Sequence, residues 1–212
     1  MHIAIIGASG FIGSGLLKEA LSRGHRVKAL VGRPERLAPH PQMSAVKADV
    51  MDTSKLSAEL AGQEAVLSAF SGHAQEDVYG YYMKGIRSII AATKSAGVPR
   101  ILVVGGAGSL EVAPGVQLLD TPEFPDQWKG TAEGAREALA LLRKDPALDW
   151  TMLSPAAFIS PGERTGTFRL GGDRLLSDAN GKSAISVEDF AVAMIDELET
   201  PKHRRARFTV AY

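Results

Sequence analysis

A doubly wound α/β fold, in which a mainly parallel sheet carries helices on both faces, follows from three observations on this sequence. Short apolar or β-branched runs alternate with longer amphipathic stretches, as repeated βα units require. Each run is too short for a helix and is bounded by Gly, Pro, Asp or Ser. The first run passes through a glycine triplet straight into the first amphipathic stretch. Six core strands are expected at Ile3–Ile6, Arg26–Val31, Ala45–Ala48, Ala65–Ala69, Arg100–Val104 and Trp150–Leu153, and a final strand near Arg207–Ala211. Their near-continuous apolar composition suits parallel strands buried on both faces. Helices are expected over Gly10–Arg23, Ser54–Leu60, Tyr82–Ala96 and Thr131–Leu142, where apolar residues recur at three- and four-residue spacing. Ser186 is a good N-cap for a helix over Val187–Glu199, with Glu188 and Asp189 in its first turn and Pro201 beyond its end. A Pro- and Gly-rich loop, Ala107–Gly130, follows the fifth strand. Residues 1–212 read as one domain, with a core over 1–155 and a small C-terminal excursion over 156–212 on the substrate side.

Composition removes several functional classes. Of 212 residues, 45% are hydrophobic and 23% charged, as in ordinary globular proteins with a large core. The 24 Lys and Arg balance the 24 Asp and Glu, so no net field draws nucleic acid or an anionic membrane. The basic run Lys202–Arg207 is short and leads into a strand, which reads as a solvated turn. The absence of cysteine excludes disulfides, thiolate nucleophiles and Cys-ligated metals. The histidines are scattered and form no spaced ligand pair, so no metal site is expected. No Gly-x-Ser-x-Gly elbow supports a serine hydrolase. No signal peptide or membrane-spanning run is visible, and a cytoplasmic location is expected, with the oligomeric state open.

The strand Ile3–Ile6 runs into Gly7-Ala8-Ser9-Gly10-Phe11-Ile12-Gly13 and then into a helical pattern. In this context the first glycine permits a tight turn. The second lets the backbone approach a pyrophosphate, and the third allows close packing of the helix, whose N-terminus offers unpaired N–H groups to the anion. A second strand at Arg26–Val31 completes the βαβ unit, so a Rossmann-type sheet binding a dinucleotide is expected. The tip of that second strand carries no acid for a ribose 2′-hydroxyl. Arg33, with Arg36 behind it, suits a 2′-phosphate instead, which favours NADP(H) over NAD(H). Asp49 ends the third strand where an adenine amino group would lie, and serves equally as a turn residue. Val50 and Phe70, at the exits of the third and fourth strands, complete the expected cofactor contacts. His73, in Ser71-Gly72-His73 after the fourth strand, stands on the ligand-binding edge as a proton donor or as a plain loop histidine. Trp128 and the tyrosines Tyr79, Tyr81 and Tyr82 either stack on a planar acceptor or pack on the sheet.

The glycine segment, Val31-Gly32-Arg33, Lys47-Ala48-Asp49-Val50, Val103-Val104-Gly105-Gly106-Ala107-Gly108 and the tail Ser186-Val187-Glu188-Asp189-Phe190-Ala191 resemble an atypical short-chain dehydrogenase/reductase. The likeness is to the NAD(P)H-binding group, with NADH-flavin reductases, biliverdin reductase B-type enzymes and NmrA-like regulators. The resemblance implies hydride transfer from a nicotinamide to a small planar acceptor, such as FMN or another flavin, or a quinone. It also implies a substrate-orienting role for Ser109 and nicotinamide contacts from Pro155 and Phe158, although Phe158 is equally explicable as core. The chain departs from the wider superfamily at the Tyr-x-x-x-Lys pair, whose lysine lowers the tyrosine pKa for proton exchange. Lys129 can keep the lysine role, but Pro125 stands where the tyrosine belongs. The alternatives are a non-catalytic redox sensor of the NmrA-like type and an epimerase- or dehydratase-like enzyme.

Overall fold

Alternation along the first strand, β1 (His2–Ile6), sets up two cores: Ile3 and Ile5 enter one apolar cluster, Ala4 and Ile6 the other, and all four are buried. The computed structural model describes residues 1–73 and 75–212. The chain continues through α1 (Phe11–Ser22), β2 (Arg26–Val31), β3 (Met43–Lys47), α2 (Thr53–Leu60), β4 (Ala65–Ser68), α3 (Val78–Ser95) and β5 (Arg100–Val104). A small hairpin, β6 (Glu111–Ala113) and β7 (Val116–Gln117), precedes α4 (Asp126–Lys144) and β8 (Asp149–Ser154). The last stretch holds β9 (Phe158–Ser160), β10 (Arg169–Gly171), β11 (Ala184–Ser186), α5 (Val187–Glu199) and β12 (Ala206–Ala211).

Among the described residues the main sheet has eight strands in the order β10-β12-β8-β5-β4-β1-β2-β3. All neighbours pair parallel except β10 with β12. Helices α1 and α5 cover one face, through Leu16, Ala20, Phe190 and Met194. Helices α2, α3 and α4 cover the other, through Leu60, Ile86, Ile89 and Leu139. This is the doubly wound sheet that the alternating pattern demands, with every central strand buried on both faces. No helix among the described residues is long and apolar enough to cross a membrane.

Several expected boundaries move, each for a local reason. Helix α3 begins at Val78 rather than Tyr82, because Asp77 caps it by accepting from the Gly80 N–H at 2.8 Å. The tyrosine cluster therefore lies on the helix. Helix α4 begins at Asp126 rather than Thr131 and runs through Gly130; Pro125 keeps Phe124 out of helical conformation and so fixes the start. Strand β3 is an edge strand with an open face, not a core strand. Ser186 caps α5 as expected, accepting from the Asp189 N–H at 2.9 Å. Within 156–212, α5 joins α1 in one helix layer and β12 lies in the main sheet between β8 and β10.

The basic run is a solvated turn only at Lys202, Arg204 and Arg205, which are exposed. Arg207 is buried, and Arg204 pairs with Asp149. Buried Glu197 accepts from Arg100 Nη2 at 3.0 Å, from the N–H groups of Lys202 and His203, and from His203 Nδ1 at 2.8 Å. Arg100 also reaches Asp149 and Thr151, leaving its Nε without a partner among the described residues. This cluster joins the starts of β5 and β8 to the end of α5.

Candidate functional site

Strand order places the site. The chain winds outwards from β1 through β2 to β3 in one direction and from β4 through β5 to β8 in the other, so a crevice opens beyond the carboxyl ends of β1 and β4. Gly7 stands at that point with φ +78°, and its N–H donates to the Leu30 carbonyl at 2.9 Å. A Cβ on Gly7 would lie 2.8 Å from the Ala69 carbonyl oxygen at the exit of β4. Gly10 folds back to the Gly7 carbonyl at 2.9 Å, and a Cβ there would lie 3.2 Å from the same oxygen. Gly13 is tighter still: its Cβ would stand 2.0 Å from the Gly7 oxygen. The third glycine thus serves contact between helix and turn more than between helix and strand. Helix α1 has no side-chain cap, so its first N–H groups are left for water or a ligand. Within the turn Ala8 is buried, Ile12 packs into the core, and Ser9 and Phe11 are exposed.

The other expected cofactor residues fall into two groups. Arg33 and Arg36 are exposed on the short turn after β2, and neither has an ion-pair partner among the described residues. Asp49 is also exposed, but its carboxylate accepts from the Met51 N–H at 2.9 Å, which is the turn role. Val50 is buried in the core beside α2 and α3. Phe70 packs on α3, its ring 6.0 Å from that of Tyr82, and a Cβ on Gly85 would collide with it. Pro155 is buried where β8 ends, whereas Phe158 is 70% exposed and so is not core.

The three candidate catalytic residues separate. Ser109 is buried, with its hydroxyl taken by Arg207 Nη1 at 3.1 Å, and Arg207 is in turn held by Asp173. That pins the loop after β5 to the excursion, as do the backbone bonds of Glu111 with Asp173 and Leu175. Lys129 lies in the first turn of α4, half exposed and paired with Asp126 at 2.6 Å. His73 meets the same turn: its Nδ1 is 3.2 Å from Thr131 Oγ1, and its ring stands edge-on to Trp128. The fold therefore brings His73 and Lys129 to one corner and leaves Ser109 inside.

Sequence reasoning missed a strap, residues 161–166, laid across α1 and α5. By sequence Asp189 is a first-turn acid suited to the helix dipole. It is fully buried and accepts from Thr165 Oγ1 at 2.5 Å, the Gly166 N–H at 2.8 Å and the Tyr212 hydroxyl at 2.9 Å. Glu188 accepts from the Gly162 N–H, and Arg164 forks onto Glu19 at 2.7 and 2.8 Å. An open groove of about 610 Å³ runs between the strap and α1, touching the glycine turn at Ser9, Gly10 and Phe11. It follows Lys18 and Ser22 down the helix, away from the ends of β4, β5 and β8, so it is not the crevice itself. The packing of α5 on α1 was equally hidden: a Cβ on Gly15 would lie 2.6 Å from Val187 Cγ1.

The Arg164 hydrogen bond, opposed by desolvation and helped by Arg23, holds the Glu19 carboxyl below its usual 4.5. A depressed carboxylate stabilises the fold above its unfolded pKa and stops doing so as pH falls through the folded one. The stability gap between the wild type and Glu19→Gln is therefore expected in full above 4.5 and should close below it. Thermal melts over the acid range measure this; a gap that widens on acidification would refute the assignment.

A glycine turn of this geometry at the switch point of such a sheet, with no tyrosine four residues before Lys129, defines an atypical short-chain dehydrogenase/reductase fold. The chain belongs to the NAD(P)H-binding family, whose model matches residues 7–201. It is 44% identical over 215 residues to YwnB, an uncharacterised protein of Bacillus subtilis, covering 99% of this chain and 98% of that one. A Bacteroides thetaiotaomicron structure, provisionally named an epimerase, is 46% identical with TM-score 0.94, covering 100% of this chain and 96% of that one. A Burkholderia pseudomallei structure, provisionally named an exported protein, is 44% identical with TM-score 0.91 over 100% of both chains. A Streptococcus pneumoniae structure, provisionally named an NADH-flavin reductase, is 35% identical with TM-score 0.87, covering 100% and 99%.

Proposed function

We infer that this protein is an NAD(P)H-dependent oxidoreductase that reduces a small planar acceptor of the flavin or quinone type, with NADP(H) preferred. The observation that carries the reading is the glycine turn at the switch point. Its three glycines let the turn close on Ala69 and on the Gly7 carbonyl, where a Cβ would strike backbone, and that close turn leaves the uncapped start of α1 to meet a pyrophosphate. When bound, the dinucleotide supplies hydride. The chain's share is to hold the phosphates on the uncapped N–H groups at the start of α1 and the 2′-phosphate on Arg33, with Arg36 near. Ala8 and Val50 form part of the buried floor, Pro155 backs the nicotinamide end and Phe158 walls it, and Asp49 shapes the adenine-side turn. Phe70 supports the crevice from beneath through α3. Pro125 cannot exchange a proton, so positioning carries more of the catalysis than in tyrosine-dependent relatives. The likeness to a protein named an NADH-flavin reductase supports the acceptor class. A reaction fed by NADPH suits the cytoplasm.

Purified protein titrated with NADPH and NADH, then supplied with FMN, riboflavin or a quinone, is expected to oxidise the cofactor in a sustained way. Arg33→Ala should weaken NADPH binding about tenfold or more and NADH little, the loss of one charge-assisted phosphate contact. Equal effects on both cofactors would remove Arg33 from that role. Tight cofactor binding without turnover of any acceptor would favour the redox-sensor reading, which the absent tyrosine supports.

A further inference from the structure

The corner where the turn after β4 meets α4 holds the groups best placed to receive an acceptor. We propose that a planar, electron-poor ring stacks on Trp128 and that His73 gives it its proton; this rests on the reductase reading above.

The placement follows from contacts already described. The exit of β4 lies against the glycine turn, since a Gly7 Cβ would touch Ala69. His73 follows shortly after on the way to α3, and its side chain meets the first turn of α4. There Trp128 is 50% exposed, while the other tryptophan, Trp150, is 2% exposed inside the core. The His73 and Trp128 rings meet at 85° with centroids 5.8 Å apart. A perpendicular contact occupies at most one face of the indole and leaves the other open. An electron-rich indole face at a ligand edge prefers an aromatic ring poor in electrons, the property that also makes a good hydride acceptor.

Its contact with the Trp128 ring assigns the proton to His73 rather than to Tyr81, whose ring lies against Phe70. Lys129 is paired with Asp126. The Tyr79 hydroxyl is bound by Glu137, which raises its pKa, and Tyr82 is buried. Among the described residues His73 makes no ion pair and one hydrogen bond, between Nδ1 and Thr131 Oγ1, which orients the ring and leaves Nε2 without a partner there. In the reaction, hydride from the nicotinamide carries two electrons to the acceptor and oxidises the cofactor. The acceptor anion takes a proton from His73 Nε2, and solvent restores it.

Riboflavin binding read from its own fluorescence polarisation tests the platform without turnover. Trp128→Leu is expected to weaken riboflavin about tenfold, with NADPH affinity unchanged, and Trp128→Tyr to restore most of the loss. His73→Gln should leave riboflavin binding unchanged and lower kcat by about 100-fold, the scale of a lost general acid. Riboflavin bound as tightly by Trp128→Leu as by the wild type, or not bound by the wild type, overturns the platform. An unchanged kcat in His73→Gln overturns the proton donor. If riboflavin binding depends on Trp128 but nothing is turned over, the platform stands, and the reductase reading fails with the proton step.

Discussion

Gly13→Ala is expected to weaken NADPH binding by about 100-fold or more, because a turn displaced by about an ångström no longer presents its N–H groups to the pyrophosphate. The new methyl would meet backbone, not a side chain that can swing away: 2.0 Å to the Gly7 oxygen, 2.8 Å to the Gly7 carbon and 3.1 Å to Ala8 Cα. Either α1 retreats from the turn or the turn opens, and both move the cradle. The strain itself costs about 1–3 kcal/mol, typical of overpacking, so the variant should still fold. Gly172→Ala is the matched control, since a Cβ there meets nothing within 4 Å. Calorimetric titration with NADPH beside thermal melts separates binding from folding. A Gly13→Ala protein binding NADPH within a few fold of wild type would unseat the glycine turn as the cofactor's cradle.

Glu197→Ala should be the most destabilising single change away from that turn. It strands the buried Arg100 guanidinium, whose Nε already lacks a partner, and frees the donors of Lys202 and His203 at once. Breaking a buried pair from one side costs about 3–5 kcal/mol. For a domain of this size each kcal/mol lowers Tm by about 2–4 °C, so a fall near 10 °C is expected. Removing both charges, Arg100→Met with Glu197→Leu, should recover much of it, because no charge is then left unpaired in the interior. A fall of only a degree or two in Glu197→Ala would show that Asp149 alone satisfies Arg100. NADPH affinity should change little in either variant, since the cluster sits at the amino ends of β5 and β8, opposite the crevice.

These two sites differ in how far they could be read from the chain. The Gly7–Gly13 turn closes over seven residues, and its φ, its folded-back hydrogen bond and its helix all follow from neighbours in sequence. The Arg100–Glu197 pair joins residues 97 apart, and nothing near either residue announces the other. Arg207 shows the same limit at a separation of 98, where a run that looks like solvated cations places one of them against Ser109 in the interior.

The sequence by itself determined the sheet, the helices on its two faces, the glycine turn and the cap of α5, because period, turn chemistry and capping act within a few residues. It also showed that Pro125 stands where a proton-exchanging tyrosine belongs. Only the tertiary structure decided that β12 lies between β8 and β10, that Asp189 fastens a strap over α1, and that His73 reaches Thr131 across 58 residues of chain. Those contacts are selected by the packing of whole elements, and a side chain's partner across the fold leaves no periodic trace in its own segment.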